Sequence, residues 1–189
     1  MTPGGLQRRR LRVGAAVTMT SEARPDASSL GAATPEALRD AFASFPSGVV
    51  AVCASVDGRA VGMAASSFCV GVSMSPPLVL VSVQHTSKSW PLLRRASRVG
   101  VSVLGVEQAE VCMRLADSSA EKFVGVDIHT TSSDSVFIDE APVWLDCAVV
   151  DEIPVGDHDI VLLRVESLRA AADSEPLLYH RRTFRHLSD

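Results

Sequence analysis

The sequence predicts a mainly β fold, an antiparallel barrel with a few α-helices packed outside it. Three observations point there. At least six runs of β type outnumber the helical runs. Most of them are joined by short turns, which favours antiparallel pairing of neighbours. No regular strand–helix–strand alternation appears, so a doubly wound parallel sheet is not expected.

Residues 1–33 are rich in Gly, Ala, Ser, Arg and Pro and read as a flexible leader ahead of one domain over 34–189. Arg8 to Arg12 followed by Val13 to Val17 faintly resembles a signal peptide. Its apolar part runs straight into Thr18 and Thr20, so a disordered arm is expected, and Met19 is an alternative start. Thr34-Pro35-Glu36 is a helix-start pattern: an N-cap, a proline at the first position and an acid near the positive end. The helix should run to Phe45 with Leu38, Ala41, Phe42 and Phe45 on one face, and stop at Pro46 and Gly48. Val49–Val56 reads as a strand, and Asp57-Gly58 is a strong hairpin signal leading into Ala60–Ala64. Phe68–Ser73 and Leu78–Val83 make two more strands around the Pro76-Pro77 stop. A short helix is expected near Ser89–Ser97, a strand over Val99–Leu104, and an amphipathic helix over Glu107–Ala116 with Val111, Cys112 and Leu115 inward. Asp117–Thr131 is polar and reads as a loop or short helix. Ala141–Glu152 and Asp159–Ser167 are long β-type runs, joined through Pro154 to His158. The tail from Pro176 is partly apolar and strongly basic.

Composition bounds the function. The chain has 189 residues, 47% hydrophobic and 21% charged, which is a globular composition with a sizeable core. The net charge of −4 argues against a general nucleic-acid binder. Cys53, Cys69, Cys112 and Cys147 form no C-x-x-C and lie in apolar runs, where cysteine acts as a small core residue. That favours a reduced, cytoplasmic protein. No apolar run approaches the ~18 residues of a membrane span.

The stretch from Arg59 to Pro91 carries the chemistry. Gly62 to Phe68 is a run of small residues that lets a large ligand lie against the backbone, with the Ser66 and Ser67 hydroxyls for its polar edge. Ser87-Lys88-Ser89 sets two hydroxyls around one cation, a phosphate-type site, although no G-x-x-x-x-G-K is present. There is no G-x-S-x-G, H-E-x-x-H or G-x-G-x-x-G, and the histidines at 85, 129, 158, 180 and 186 are scattered. Such a chain fits chemistry carried by bound cofactors, such as hydride transfer between a nicotinamide and a flavin. There the protein binds, orients and excludes water.

Gly62 to Phe68, Val72-Ser73, Ser75 to Leu78, Ser87-Lys88-Ser89, Lys122-Phe123, Gly156-Asp157-His158 and Leu178 to Arg181 stand in the order that resembles the short-chain flavin reductases. These are the reductase components of two-component flavin-dependent monooxygenases, and the resemblance covers about residues 35–187. It implies an FMN-binding split β-barrel, antiparallel and Greek-key-like, and a homodimer. It also implies NADH-dependent or NADPH-dependent reduction of FAD or FMN, with the reduced flavin diffusing to a partner monooxygenase. By the same resemblance Val61, Gly62, Met63 and Ala64, with Ser66 and Ser67, would line the isoalloxazine edge. Ser82, Val83 and Gln84 would offer backbone groups to the ring or ribityl chain, and Lys88 and Ser89 would hold flavin phosphate. Arg114 and Leu115 would approach the phosphate or adenylate side, while Lys122 and Phe123 would help close the site. His158, with Asp159, would sit where nicotinamide docks, as an orienting group and not a proton donor.

Ala64, Ser102 and Leu115 depart from the residues that many relatives carry (Thr, Asn and Phe), which bears on individual contacts and on FAD against FMN. Plainer readings stand beside these roles: a polar turn for Ser66-Ser67, a solvated charge for Lys88, a turn histidine for His158. Trp90 and Trp144 are expected in core or interface, not stacked on flavin. Arg181, Arg182 and Arg185 read either as a solvated tail or as a site for NADH pyrophosphate or an adenylate across a dimer. No arginine pair is evident beside His158, which leans to NADH. The rival functions are a non-catalytic flavin-storage protein and an oxidase with tightly bound FMN on the same barrel.

Overall fold

The computed structural model describes residues 30–117, 121–171 and 174–187. The leader expected over 1–33 lies outside the described residues as far as residue 29. In chain order the elements are α1 (Pro35–Ala43), β1 (Ser47–Gly48), β2 (Val50–Val56), β3 (Arg59–Ala65), β4 (Phe68–Met74), β5 (Pro77–Gln84), α2 (Trp90–Leu93) and β6 (Val99–Val103). A 3₁₀ turn over Val106–Gln108 leads into α3 (Ala109–Ala116). Then follow β7 (Ile128–Thr130), β8 (Val136–Ile138), β9 (Val143–Val155), β10 (His158–Ala170), β11 (Leu178–His180) and β12 (Thr183–Arg185).

Seven strands form one antiparallel sheet in the order β3-β2-β6-β9-β10-β5-β4. Its two edge strands, β3 and β4, are consecutive in the chain and joined only by Ser66 and Ser67. Laid flat, the edges would lie about 29 Å apart, at ~4.8 Å per strand. The link from Ala65 to Phe68 spans at most about 11 Å, at 3.8 Å per Cα step. The sheet therefore curls until its edges meet at Ser66-Ser67, yet β3 and β4 do not pair. The result is a split barrel whose seam is the small-residue run.

The interior holds Val52, Val56, Val81, Val101, Leu145 and Leu163, with Trp90 and Leu93 of α2 against them. A second layer covers the outside of β2, where Ala51 and Cys53 meet Leu104, Leu115 and Ile138. Both faces of β2 are thus buried, which explains its unbroken apolar run. The layers approach closely at two glycines. A Cβ on Gly100 would lie 2.3 Å from the Val136 carbonyl oxygen, and one on Gly62 would lie 2.7 Å from Phe123 Cζ.

Several elements differ from the sequence reading, each for a physical reason. α1 ends at Ala43 and buries none of its residues, leaving Phe42 at 70% and Phe45 at 72% exposure. The 117–131 segment is not all loop, for Ile128–Thr130 pairs with Val136–Ile138 across a tight turn. β9 continues through Pro154 to Val155. β6 pairs only with Val143–Cys147, so the outer half of β9 has a free edge where a missing N–H costs nothing. The Asp57-Gly58 hairpin forms as expected, with φ of 52° and 74°.

All four cysteines are free, three buried and Cys69 exposed on edge strand β4, so Cys69 is not the core residue expected of it. Burial pushes the Cys53 and Cys147 thiols up to about 12. A thiol raised this way stabilises the fold fully below its ordinary value of 9.0 and ever less as pH climbs toward 12. Each of the two should cost about 1 kcal/mol per pH unit above 9. Urea denaturation at pH 8 and pH 10 checks this. The midpoint should fall at pH 10, and less so in Cys53→Ala.

Candidate functional site

The seam opens into a cleft of about 520 Å³, within the size range of small-ligand sites. Four segments line it: Met63–Ser67 at the end of β3, Ser82–Gln84 of β5, the Thr86–Ser89 loop, and Leu115–Asp117 at the end of α3. Lys122 and His158 complete it.

The seam is pinned by one hydroxyl. Ser67 Oγ donates to the Ser82 carbonyl at 2.8 Å, tying the β3–β4 corner to β5. The Ser66 hydroxyl forms no hydrogen bond among the described residues and stays available to a ligand. The expectation of two free hydroxyls therefore narrows to one hydroxyl and the lone pairs of the other.

The 86–89 loop is wound onto α2. Ser87 Oγ accepts from the Trp90 backbone N–H at 3.2 Å, and the Ser89 carbonyl accepts from Leu92 and Leu93. Each hydroxyl accepts from the protein, since Ser89 Oγ takes a bond from Lys122, so each keeps its own proton to donate. Lys88, exposed between them, has no ion-pair partner among the described residues. Behind the loop Glu152 acts as a clamp. Its Oε2 accepts from the Trp90 indole N–H at 3.1 Å and its Oε1 pairs with Arg94 at 3.2 Å. Glu152→Ala should leave the buried indole N–H unpartnered and cost about 1–3 kcal/mol. The expected readout is a lower urea midpoint with a shifted tryptophan emission. An unchanged midpoint and spectrum would remove the clamp from the account.

Lys122 is differently placed. Its three N–H groups go to the Leu115 carbonyl at 2.9 Å, the Gly62 carbonyl at 3.2 Å and Ser89 Oγ at 3.2 Å. It ties the C-terminal end of α3, the middle of β3 and the start of α2 into one wall. Burial lowers its pKa, with Cys53 and Asp117 acting in the opposite sense. Phe123 lies beneath Gly62 and forms the floor under β3.

On the β9–β10 rim, Gly156 takes φ 63° in the loop between Val155 and His158. His158 Nδ1 and Asp157 Oδ1 are 2.7 Å apart, Nε2 has no partner among the described residues, and the bond holds the Asp157 carboxyl below its usual range.

Not every expected residue lines the cleft. Val61 packs toward the barrel interior, and Gly62 serves through its carbonyl. Asp159 instead faces His85, with Oδ1 3.1 Å from Nε2. The Arg114 guanidinium is taken up by Glu110 and the Val124 carbonyl. Both tryptophans lie off the cleft, as expected: Trp90 in the interior, and Trp144 stacked on Phe137 at 4.9 Å with Arg169 over its ring at 3.8 Å. Thr86, Ala116 and Asp117 line the cleft without having been singled out in the sequence, while Ala65 and Ser87 do so as parts of the small-residue run and the Ser87-Lys88-Ser89 motif. Thr86 adjoins the S-K-S motif, whereas Ala116 and Asp117 reach the site only through the packing of α3 on β3.

Among the described residues no group of three or more His, Cys, Asp and Glu could hold a metal. The buried thiols are too weakly acidic to act as nucleophiles. What remains is a floor of small side chains, hydroxyl donors and one unpaired lysine, a fit for a planar, phosphorylated cofactor.

A split antiparallel barrel with such a cleft on its seam defines a cofactor-binding barrel whose bound partners carry the chemistry. Residues 42–188 match the flavin reductase like domain, and the chain belongs to that family. It is 36% identical over 148 residues to a flavin reductase of Pseudomonas putida, covering 78% of this chain and 86% of that one. It is 33% identical to the reductase subunit HsaB of a flavin-dependent monooxygenase from Rhodococcus jostii, covering 78% and 75%. Among solved structures, the NADH:FAD oxidoreductase SgcE6 of Streptomyces globisporus, in complex with NAD and FAD fragments, superposes with a TM-score of 0.75 at 33% identity. It covers 80% of this chain and 91% of that one.

Proposed function

We propose that this chain is an NADH-dependent flavin reductase that reduces free FAD or FMN and releases it to a separate monooxygenase. The observation that carries the reading is the seam cleft, whose small-residue floor, serine hydroxyls and Lys88 are binding groups for a phosphorylated ring cofactor. The overall reaction is NADH + flavin + H⁺ → NAD⁺ + reduced flavin. A bound flavin supplies the two-electron acceptor. The chain's part is to hold the two rings in contact and keep water out.

In this reading the small floor from Met63 to Ala65 receives the flat ring, with Ser66 and the Ser82–Gln84 edge beside it. Lys88 and the hydroxyls of Ser87 and Ser89 receive the phosphate. His158, oriented through Nδ1 by Asp157, presents Nε2 to the nicotinamide carboxamide. Lys122 has no donor left for a ligand and keeps the wall in place.

The acting unit is a homodimer. The support is an uncovered apolar surface: Phe42 on α1 and Phe45 just beyond it, Val70, Val72 and Met74 on edge strand β4, and Val150 and Ile153 on β9. The β4–β5 ladder also breaks between Cys69 and Ser73, leaving backbone groups of β4 unpaired with β5. Free cysteines favour a cytoplasmic location.

Release of the product is what separates this function from flavin storage and from an oxidase with resident FMN. Gel filtration of protein mixed with excess FMN tests it. The reductase reading expects the protein peak to emerge nearly free of flavin absorbance. A peak carrying one flavin per chain through the column would favour the tightly bound alternatives.

A further inference from the structure

His158 stands at the tip of the long β9–β10 hairpin, directly opposite Gln84, the last residue of β5. The 86–89 loop leaves the ladder at that point. Gln84 starts it, accepting from the Ser87 N–H at 2.9 Å through its carbonyl and from Thr86 Oγ1 at 3.2 Å through its side chain. Side chains alternate along paired strands, so Gln84 and His158 share the face that meets the cleft, and both line it. His85 and Asp159 fall on the opposite face and take no part in the lining.

His85 ties this corner together. Its backbone N–H donates to the Asp157 carbonyl at 3.0 Å, and its ring Nε2 lies 3.1 Å from Asp159 Oδ1. A carboxylate only accepts, so Nε2 carries the shared proton. The two bonds grip the residues on either side of His158. Asp157, whose carbonyl His85 holds, is also the residue whose carboxyl meets the His158 ring. Among the described residues, no other side-chain bond joins 156–159 to 84–89. The His85 side chain is 45% exposed and that of Asp159 26%, so the pair adds little to global stability. Its effect is local: it fixes where His158 stands relative to Ser87, Lys88 and Ser89.

We propose that His85, through Asp159 and Asp157, is a positioning residue for hydride transfer, an inference that rests on the flavin reductase reading. In that reading the flavin is anchored by its phosphate at the 86–89 loop and the nicotinamide by its carboxamide at His158. The gap between the two rings then follows the gap between those two anchors, and His85 is the clasp that fixes it. Hydride transfer needs the reacting atoms about 3–3.5 Å apart, and a displacement of ~1 Å costs on the order of a hundredfold in rate. Loss of the clasp should therefore slow the chemical step more than it weakens the binding of flavin.

The test is anaerobic stopped-flow reduction by NADH of FAD or FMN, whichever the wild type reduces faster, with both substrates saturating. The variants are His85→Ala, His85→Gln, Asp159→Ala and the double variant His85→Ala/Asp159→Ala. Flavin affinity is measured by fluorescence titration and stability by urea denaturation. His85→Ala and Asp159→Ala should each slow reduction about tenfold, with flavin affinity within about twofold of wild type and the urea midpoint unchanged. The double variant should be no slower than His85→Ala, because all three lose the same bond. His85→Gln, whose amide N–H can reach Asp159 in place of Nε2, should recover most of the rate. A wild-type rate in His85→Ala would overturn the proposal. So would losses that multiply in the double variant, no recovery in His85→Gln, or a slowed rate matched by a lowered urea midpoint. Wild-type protein that reduces neither flavin would instead defeat the reductase reading itself, whereas an active wild type with unaffected variants defeats the clasp alone.

Discussion

Lys122→Met is expected to raise the flavin KM about tenfold or more and to cost about 1–2 kcal/mol of stability. The reason lies in where its three donors go. Removing them leaves the Leu115 and Gly62 carbonyls without a partner and frees the start of α2, so three lining segments lose their common tie. Riboflavin separates this cause from a simple charge effect, because it has no phosphate. If Lys122 acts by holding the wall, the KM values for riboflavin and FMN rise together. If it acts as a phosphate ligand, only FMN suffers. Lys88→Met should show the opposite pattern, with FMN weakened and riboflavin spared. Steady-state kinetics with both flavins on both variants would show it, and a loss confined to FMN in Lys122→Met would refute the structural role given to that residue.

Gly100→Ala should be among the most damaging single substitutions in the chain, with a loss of about 3 kcal/mol or more. The new methyl would sit 2.3 Å from the Val136 oxygen and 2.9 Å from its carbonyl carbon. Both are backbone atoms of a strand buried against the barrel, so no side-chain rotation relieves the clash. β8 would have to move off β6, taking with it the bond from the Ile138 N–H to Ser102 Oγ. Gly48→Ala is the control, since nothing lies within 4 Å of its new Cβ and its φ is not positive. It should change stability by less than about 0.5 kcal/mol. Thermal melts of the two variants beside wild type test the contrast, and equal melting temperatures for Gly100→Ala and wild type would contradict the packing described.

Most of the barrel was legible because its strands are marked locally. Val49–Val56 is apolar throughout, Asp57-Gly58 fits only a tight hairpin, and Pro76-Pro77 ends one strand and opens the next. The short β7–β8 and β11–β12 hairpins were not legible. Three-residue strands carry too little periodicity, and Arg181-Arg182 contains none of the residues that mark such a turn. Pro154 argues locally against a strand, and its place in β9 follows only from the free edge that the short β6 leaves.

The cleft shows the same division. The small-residue run, the Ser87–Ser89 loop and His158 were visible as residue types, and the fold brings them to one seam. The use of each polar atom was not visible. That Ser67 is spent on Ser82, Lys122 on three acceptors and Arg114 on Glu110 depends on contacts between residues far apart or on helix geometry. The exposure of Cys69 likewise follows from β4 being an edge, which its own neighbours do not reveal.

The measurement that bears most directly on the whole account is NADH oxidation, followed at the reduced-nicotinamide absorbance band, by purified protein with and without added free flavin. The account predicts almost no turnover without flavin, and turnover that rises and saturates as FAD or FMN is added. Full turnover without added flavin, or none at any flavin concentration, would contradict it.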